Sequence, residues 1–140
     1  MIILHNSCFN IEKYQQINIY NYKENTFYES SRSIENATLY FDFKSNKIQI
    51  TDYALKSSTS DNHLKNWVVE VSNDKEKWKI IDTHTNDPTL NNQSVKAVFS
   101  VNGNDDTFYR YVQIRQTGVS WYNNGYLHIS RIEFFGKLME

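Results

Sequence analysis

The sequence predicts an all-β domain, an antiparallel β-sandwich of jelly-roll or immunoglobulin-like type. Three observations predict it. The chain reads as seven or more short β-type runs separated by polar connections. No segment after residue 39 sustains the 3.6-residue apolar period of a helix, whereas two runs alternate apolar and polar residues as strands do. Finally, 17 Asn against 4 Gly and 1 Pro supply the turn residues, because the Asn side chain bonds nearby backbone and tolerates the left-handed region.

The elements follow in chain order. Ile2–Tyr14 suits either a strand and turn or a short helix, and Ile17–Tyr20 (INIY) suits a strand. Leu39–Phe43 (LYFDF) and Lys47–Leu55 (KIQITDYAL) flank Lys44-Ser45-Asn46, read as a three-residue hairpin loop. Asn66–Ser72 (NWVVEVS) and Lys77–Thr83 (KWKIIDT) flank Asn73-Asp74-Lys75-Glu76, a second hairpin. Within the first of these, Trp67, Val69 and Val71 alternate with Asn66, Val68 and Glu70, the pattern of a strand with one buried face. Lys96–Val101, Tyr109–Gln116 and Leu127–Phe135 complete the set, with Val112 and Ile114 alternating against Gln113 and Arg115.

Parity then sorts the connections. If successive strands reverse direction, the segments at 44–46, 73–76 and 102–108 share one end. Those at 29–38, 56–65, 84–95 and 117–126 share the other, and each is about ten residues long, beyond the usual hairpin loop of roughly 2–5. Long loops on a rigid scaffold are where binding surfaces sit, so the second end is the expected binding face.

Composition bounds the function classes. A chain of 140 residues is one domain, with 1–38 as its N-terminal portion. The balance of 15 Lys+Arg against 16 Asp+Glu provides no basic stripe, which argues against nucleic acid as a partner. Met1–Asn6 turns polar after three apolar residues, and no stretch reaches the length of a membrane span. With Cys8 the single cysteine, these features point to the cytosol and to no membrane partner.

Phe41–Asp82, with FDFKSNKIQITDYALKS, HLKNWVVEVSND and KW-KIID, together with the closing FYRYVQIRQTGVSWYNNGYLHISRIEFFGKL, resembles the intracellular branch of the F5/8 type C (discoidin) domains. The similarity covers residues 39–138 and is weaker over the first 38. It implies a galactose-binding-like jelly roll with binding loops at one end. It also implies a protein-interaction role, since that branch accompanies BTB, kelch or ubiquitin-ligase modules; extracellular relatives bind lipid, glycans or collagen. Two departures stand out. Lys75 occupies a position that is Gly in the family's hairpin, which implies either a different turn or a strained φ. Ile34-Glu35-Asn36-Ala37-Thr38-Leu39 replaces the family's Pro-Asn-Ser-Trp, which questions any binding role for the 29–38 loop. The resemblance also makes Arg115 a structural residue paired with a carboxylate.

Candidate binding residues are those on the long loops: Arg32, Asp61, His63, Lys65, His84, Asp87, Trp121, Tyr122, Asn124 and Tyr126. Trp67 and Trp78 are read as core. Trp121 has two readings, an exposed contact aromatic or a plug folded back onto the sandwich. His63 with Asp61 and His84 with Asp87 carry metal-ligand chemistry, but their spacing matches no compact motif, and solvated loop histidines are the plainer reading. No partner is assigned to His5 or His128. Asn102-Gly103-Asn104-Asp105-Asp106 is oxygen-rich, as a calcium site would be, yet it lacks the alternating loop with a terminal Glu, and a turn is expected with no cofactor. No nucleophile elbow, HExxH or phosphate-binding glycine loop occurs, and Cys8 has no neighbouring His, so no catalytic residue and no enzyme activity are expected. The leading expectation is a protein-binding adaptor or a subunit of a larger assembly. A ciliary or cytoskeletal setting is suggested by a small intraflagellar-transport subunit of similar fold. The alternative is a carbohydrate-binding module with Trp121 or Tyr126 as the sugar platform.

Overall fold

The computed structural model describes residues 2–4, 28–29, 33, 35–103 and 105–139. Ten strands occur among them: β1 (Ile2–Leu4), β2 (Tyr28–Glu29), β3 (Thr38–Asp42), β4 (Lys47–Lys56), β5 (Trp67–Ser72), β6 (Lys79–His84), β7 (Lys96–Ser100), β8 (Tyr111–Gln116), β9 (His128–Ile129) and β10 (Arg131–Met139). They form a sheet in the order β1-β10-β4-β7, a sheet in the order β3-β8-β5-β6, and a β2-β9 ribbon, with every pairing antiparallel. The fold is the expected antiparallel jelly-roll sandwich. The reading of Ile17–Tyr20, His5 and Cys8 lies outside the described residues.

The core sits between the two larger sheets. Phe41 of β3 meets Phe134 of β10 edge to face with ring centroids 4.9 Å apart. Tyr53 of β4 stacks on Phe99 and accepts a hydrogen bond from the Trp67 indole of β5 at 3.0 Å. Both Trp67 and Tyr53 are fully buried, so these residues couple the layers by packing and by a satisfied polar contact. Gly136 lies where β10 shifts register against β4; a Cβ there would overlap the Gln49 carbonyl oxygen, so only glycine lets the two backbones approach.

Three sequence expectations are corrected. Lys44-Ser45-Asn46 is not a hairpin loop, because β3 pairs with β8 while β4 pairs with β10 and β7. The turn is a corner that carries the chain from one sheet to the other, with Asn46 N donating to the Phe43 carbonyl and Lys44 at φ 61°. Crossing there buries Phe41 and Phe43 in one layer and Ile48 and Ile50 in the other. Secondly, β5 is buried on both faces: Val68 and Glu70 are 4% and 6% exposed. Glu70 is covered by Arg115 and Gln113 from β8, its neighbour in the sheet. Thirdly, Trp78 lies outside the sandwich core. It is half-buried just before β6, its ring edge-on to Tyr40 and its indole donating to the Lys75 carbonyl.

Lys75 itself takes φ 64°, the strained alternative, and its ammonium lies over the Tyr40 and Tyr111 rings at 5.3 and 5.0 Å. The cation–ring contact, worth roughly 0.5–1 kcal/mol, offsets part of the left-handed strain of about 1–2 kcal/mol. Asn performs the expected punctuation at Asn36, Asn86 and Asn123, with φ of 54°, 51° and 60°. The connections segregate as parity predicts. Asn73 at one end bonds the Phe108 carbonyl and the Arg110 amide, while the segments 57–66, 85–95 and 117–127 meet at the other.

Candidate functional site

The loop end is assembled by polar cross-links between segments that carry no regular structure of their own. Asn66, just before β5, uses its whole carboxamide and its carbonyl. Its Nδ2 donates to the Val119 carbonyl, its Oδ1 accepts from Asn86 N, and its carbonyl accepts from Thr117 N. Asp87 is a second junction. Its amide donates to the Lys65 carbonyl, its carbonyl accepts from the Trp121 indole at 3.1 Å, and its carboxylate accepts from Thr89 and pairs with His84. Gln116, buried at the end of β8, donates to the carbonyls of Gly125 and Tyr126 and so folds the 117–127 loop back on itself. Gly118 lies so close to Asn66 that a Cβ would touch its side chain at 3.0 Å.

The candidate residues fall into distinct environments. Trp121 is half-buried, with its indole tied to Asp87 and the Lys65 ammonium 4.6 Å from its ring centroid. Trp121 is thus tied down among the loops, and Lys65, Asp87 and Trp121 form one contact. Asn124 accepts from Ser120 and from the Tyr126 amide and donates to Asn62, cross-linking two loops. Tyr126 is half-buried with its ring edge-on to His128. Asp61 is exposed and meets His63 only through backbone, its carbonyl accepting from His63 N. Tyr122, by contrast, is 63% exposed at the tip, and Val119 beside it is 41% exposed. Arg32 lies outside the described residues.

The histidines are not the solvated loop residues expected. His63 is 6% exposed, with its Nδ1 3.4 Å from Asn91 Oδ1. His128 has a partner, Ser60 Oγ at 2.6 Å from its Nδ1. His84 stands between two carboxylates, its Nδ1 2.7 Å from Asp87 Oδ2 and its Nε2 2.8 Å from Asp82 Oδ2, with its ring stacked on Trp67 at 4.2 Å. Burial works against the charged ring, but hydrogen bonds to Asp82 and Asp87 outweigh it and raise the His84 pKa above the ordinary 6.5. Burial likewise acts to raise the Asp87 pKa, yet hydrogen bonds from Thr89 and His84 prevail and hold it below the ordinary carboxylate value. Tyr53 is driven far above the usual phenol range by burial and by its hydrogen bond to Asp82.

Among the described residues no group of three or more His, Cys, Asp or Glu side chains is placed to hold a metal ion. Within the oxygen-rich segment 102–106, Asp105 binds the Lys79 ammonium and the Thr107 amide. Arg115 pairs with Glu70 at 2.6 Å, in keeping with its structural reading. Beside the loop tip lies an open cleft of about 520 Å³ lined by Ser33, Glu35, Asn36, Thr117, Gly118, Val119 and Gly125. These residues offer hydroxyl, amide and carboxylate groups.

Comparison with solved structures gives the fold a name. A family 32 carbohydrate-binding module from Clostridium perfringens in complex with GalNAc-β-1,3-galactose superposes with a TM-score of 0.61 at 12% identity, covering 87% of this chain and 85% of that one. A second, from a family 31 glycoside hydrolase of the same organism, gives 0.62 at 12% identity over 82% and 80%. The fold is galactose-binding-like. No family model matches the chain. In sequence it is 29% identical over 79 residues to the E3 ubiquitin-protein ligase Ufd4 of Drosophila melanogaster, which is 54% of this chain and 3% of the ligase. It is also 29% identical over 93 residues to the E3 ubiquitin-protein ligase hecd-1 of Caenorhabditis elegans, 64% of this chain and 4% of the ligase. The galactose-binding-like scaffold carries its long loops at one end, and the cross-links described above give that end its shape.

Sequence reasoning missed Asn66, Asp82 and Gln116 as builders of this end. Asp82 had a legible signal. It lies two residues from His84 on a strand, so the two side chains share a face.

Proposed function

We propose that this domain is a non-enzymatic binding module that recognises a protein partner through its loop end, as an adaptor or subunit of a larger assembly. The observation that carries the reading is the exposure of Tyr122 and Val119 on a loop whose intervening Ser120 and Trp121 are tied down. An aromatic ring held out on a preordered loop contacts a partner at small entropic cost, the pattern of an interface hot spot. The likeness to segments of two ubiquitin-protein ligases, enzymes that act on proteins, supports a protein partner, as does the resemblance to intracellular discoidin domains.

A second reading has its own support. Modules of similar fold are solved with bound sugar, and the cleft beside Val119 is lined by groups that bond hydroxyls. Against it, Trp121 has the Lys65 ammonium over its ring. Affinity purification from the native cell with wild-type and Tyr122→Ala chains, run beside a glycan array, separates the two. Stoichiometric protein partners lost with Tyr122→Ala are expected. Saturable glycan binding with no partner protein would replace this reading with the second.

A further inference from the structure

We propose that His84 is a charged latch: as an imidazolium it clamps the 85–95 loop to the core, and its deprotonation releases the junction that orders the loop end. The structural claim stands by itself, and its functional consequence rests on the loop end being the binding face.

Hydrogen-bond directions carry the argument. The Trp67 indole can only donate, so the Tyr53 oxygen accepts it, and the Tyr53 proton goes to Asp82 Oδ2 at 2.6 Å. Asp82 is therefore an acceptor, and His84 Nε2 must donate to it. At the other nitrogen, Asp87 accepts the Thr89 amide and hydroxyl at Oδ1 and His84 Nδ1 at Oδ2. Two donated bonds require two N–H groups, which only the imidazolium has. The ring is held in place by Trp67 beneath it and by Phe99 edge-on at 4.8 Å. The titratable groups facing it are Asp82 from β6, Tyr53 from β4 through Asp82, and Asp87 from the loop, while β5 and β7 present only the Trp67 and Phe99 rings. Lys65, over Trp121, is the other charge at the junction.

A neutral ring keeps one N–H, so one nitrogen lone pair would face a carboxylate at hydrogen-bond distance. Asp82 is buried and fixed by Tyr53, so Asp87 on the loop is the arm that yields. Asp87 also carries the bonds to Lys65 and Trp121, so its movement loosens all three loops together. The raised pKa of His84 puts the step from the closed to the open state above 6.5, the clamp being closed on its acid side and released as pH rises through it.

The test is an NMR titration of the full chain from about pH 5 to about pH 9, following the His84 ring nitrogens and the Trp121 indole N–H. Amide exchange of 85–95 is read alongside, corrected for intrinsic rates. Expected are both ring nitrogens protonated at the acid end, one midpoint above 6.5, and a roughly tenfold or greater fall in loop protection in the same step. His84→Gln should make loop protection independent of pH; should that variant fail to fold, the wild-type titration decides. A His84 midpoint at or below 6.5, or a titration that leaves the Trp121 indole and loop protection unchanged, overturns the latch. Tyr122→Ala lies outside the clamp: loss of partner with an unchanged titration supports the binding reading alone, so the two can fail separately.

Discussion

The two ends of the sandwich are closed by different chemistry. At the short-turn end, charges meet charges and rings: Lys79 pairs with Asp105 near solvent, Arg110 reaches the buried Asp42 carboxylate, and Lys75 covers Tyr40 and Tyr111. At the long-loop end, amides, hydroxyls and an indole bond across segments, and charge enters chiefly at the His84 clamp. An exposed ion pair such as Lys79–Asp105 contributes little and is screened by salt, whereas neutral hydrogen bonds between loop segments are not screened. Long irregular loops can therefore form a firm surface when their backbone groups find partners in one another.

The largest expected effect tests the floor beneath the loop end. Trp67→Ala removes the fully buried ring that supports His84 and bonds Tyr53, and should cost about 3–5 kcal/mol in denaturant unfolding. The sharpest comparison follows from two asparagines used alike at opposite ends. Asn66→Ala should cost roughly 1–3 kcal/mol and raise exchange in 85–95 and 117–127, whereas Asn73→Ala, in exposed surroundings, should cost less than about 1 kcal/mol. Equal losses would erase the distinction between the ends.

Acid should act on both ends. Burial acts to raise the Asp42 pKa, but hydrogen bonds from Arg110 and Lys44 prevail, so it is lowered, as is that of Asp87. A carboxylate with a depressed folded pKa stabilises above its unfolded value near 3.8 and loses that contribution as pH falls through the folded one. Asp42→Asn should flatten the acid limb of a pH–stability curve while leaving in place the His84 step, which falls above 6.5. The smallest effect is Lys75→Gly. Relief of left-handed strain and loss of the cation–ring contact oppose each other, so the unfolding free energy should rise by only about 1 kcal/mol or less.

Much of this was legible in the residues. Local alternation and turn chemistry marked β5, β6 and β8, and parity sorted the loops, because strand direction follows from counting. Pairing was not legible at 44–46, since a turn sequence shows that the chain reverses but not which sheet receives it. Trp78 failed because a strand-edge position does not reveal which face is covered. His84 failed because one partner, Asp82, is set by strand period and the other, Asp87, by a loop whose path depends on Asn66 and Trp121.

The central claim is that the loop end is the binding face and Tyr122 its principal contact. Val98 on β7 is exposed to the same 63%, which makes it the matched control. Quantitative capture of partners from the native cell with wild-type, Tyr122→Ala and Val98→Ser chains, each checked for unchanged unfolding, tests the claim directly. Loss of partners with Tyr122→Ala and retention with Val98→Ser is the predicted result. Retention with Tyr122→Ala, or loss with Val98→Ser alone, would contradict it.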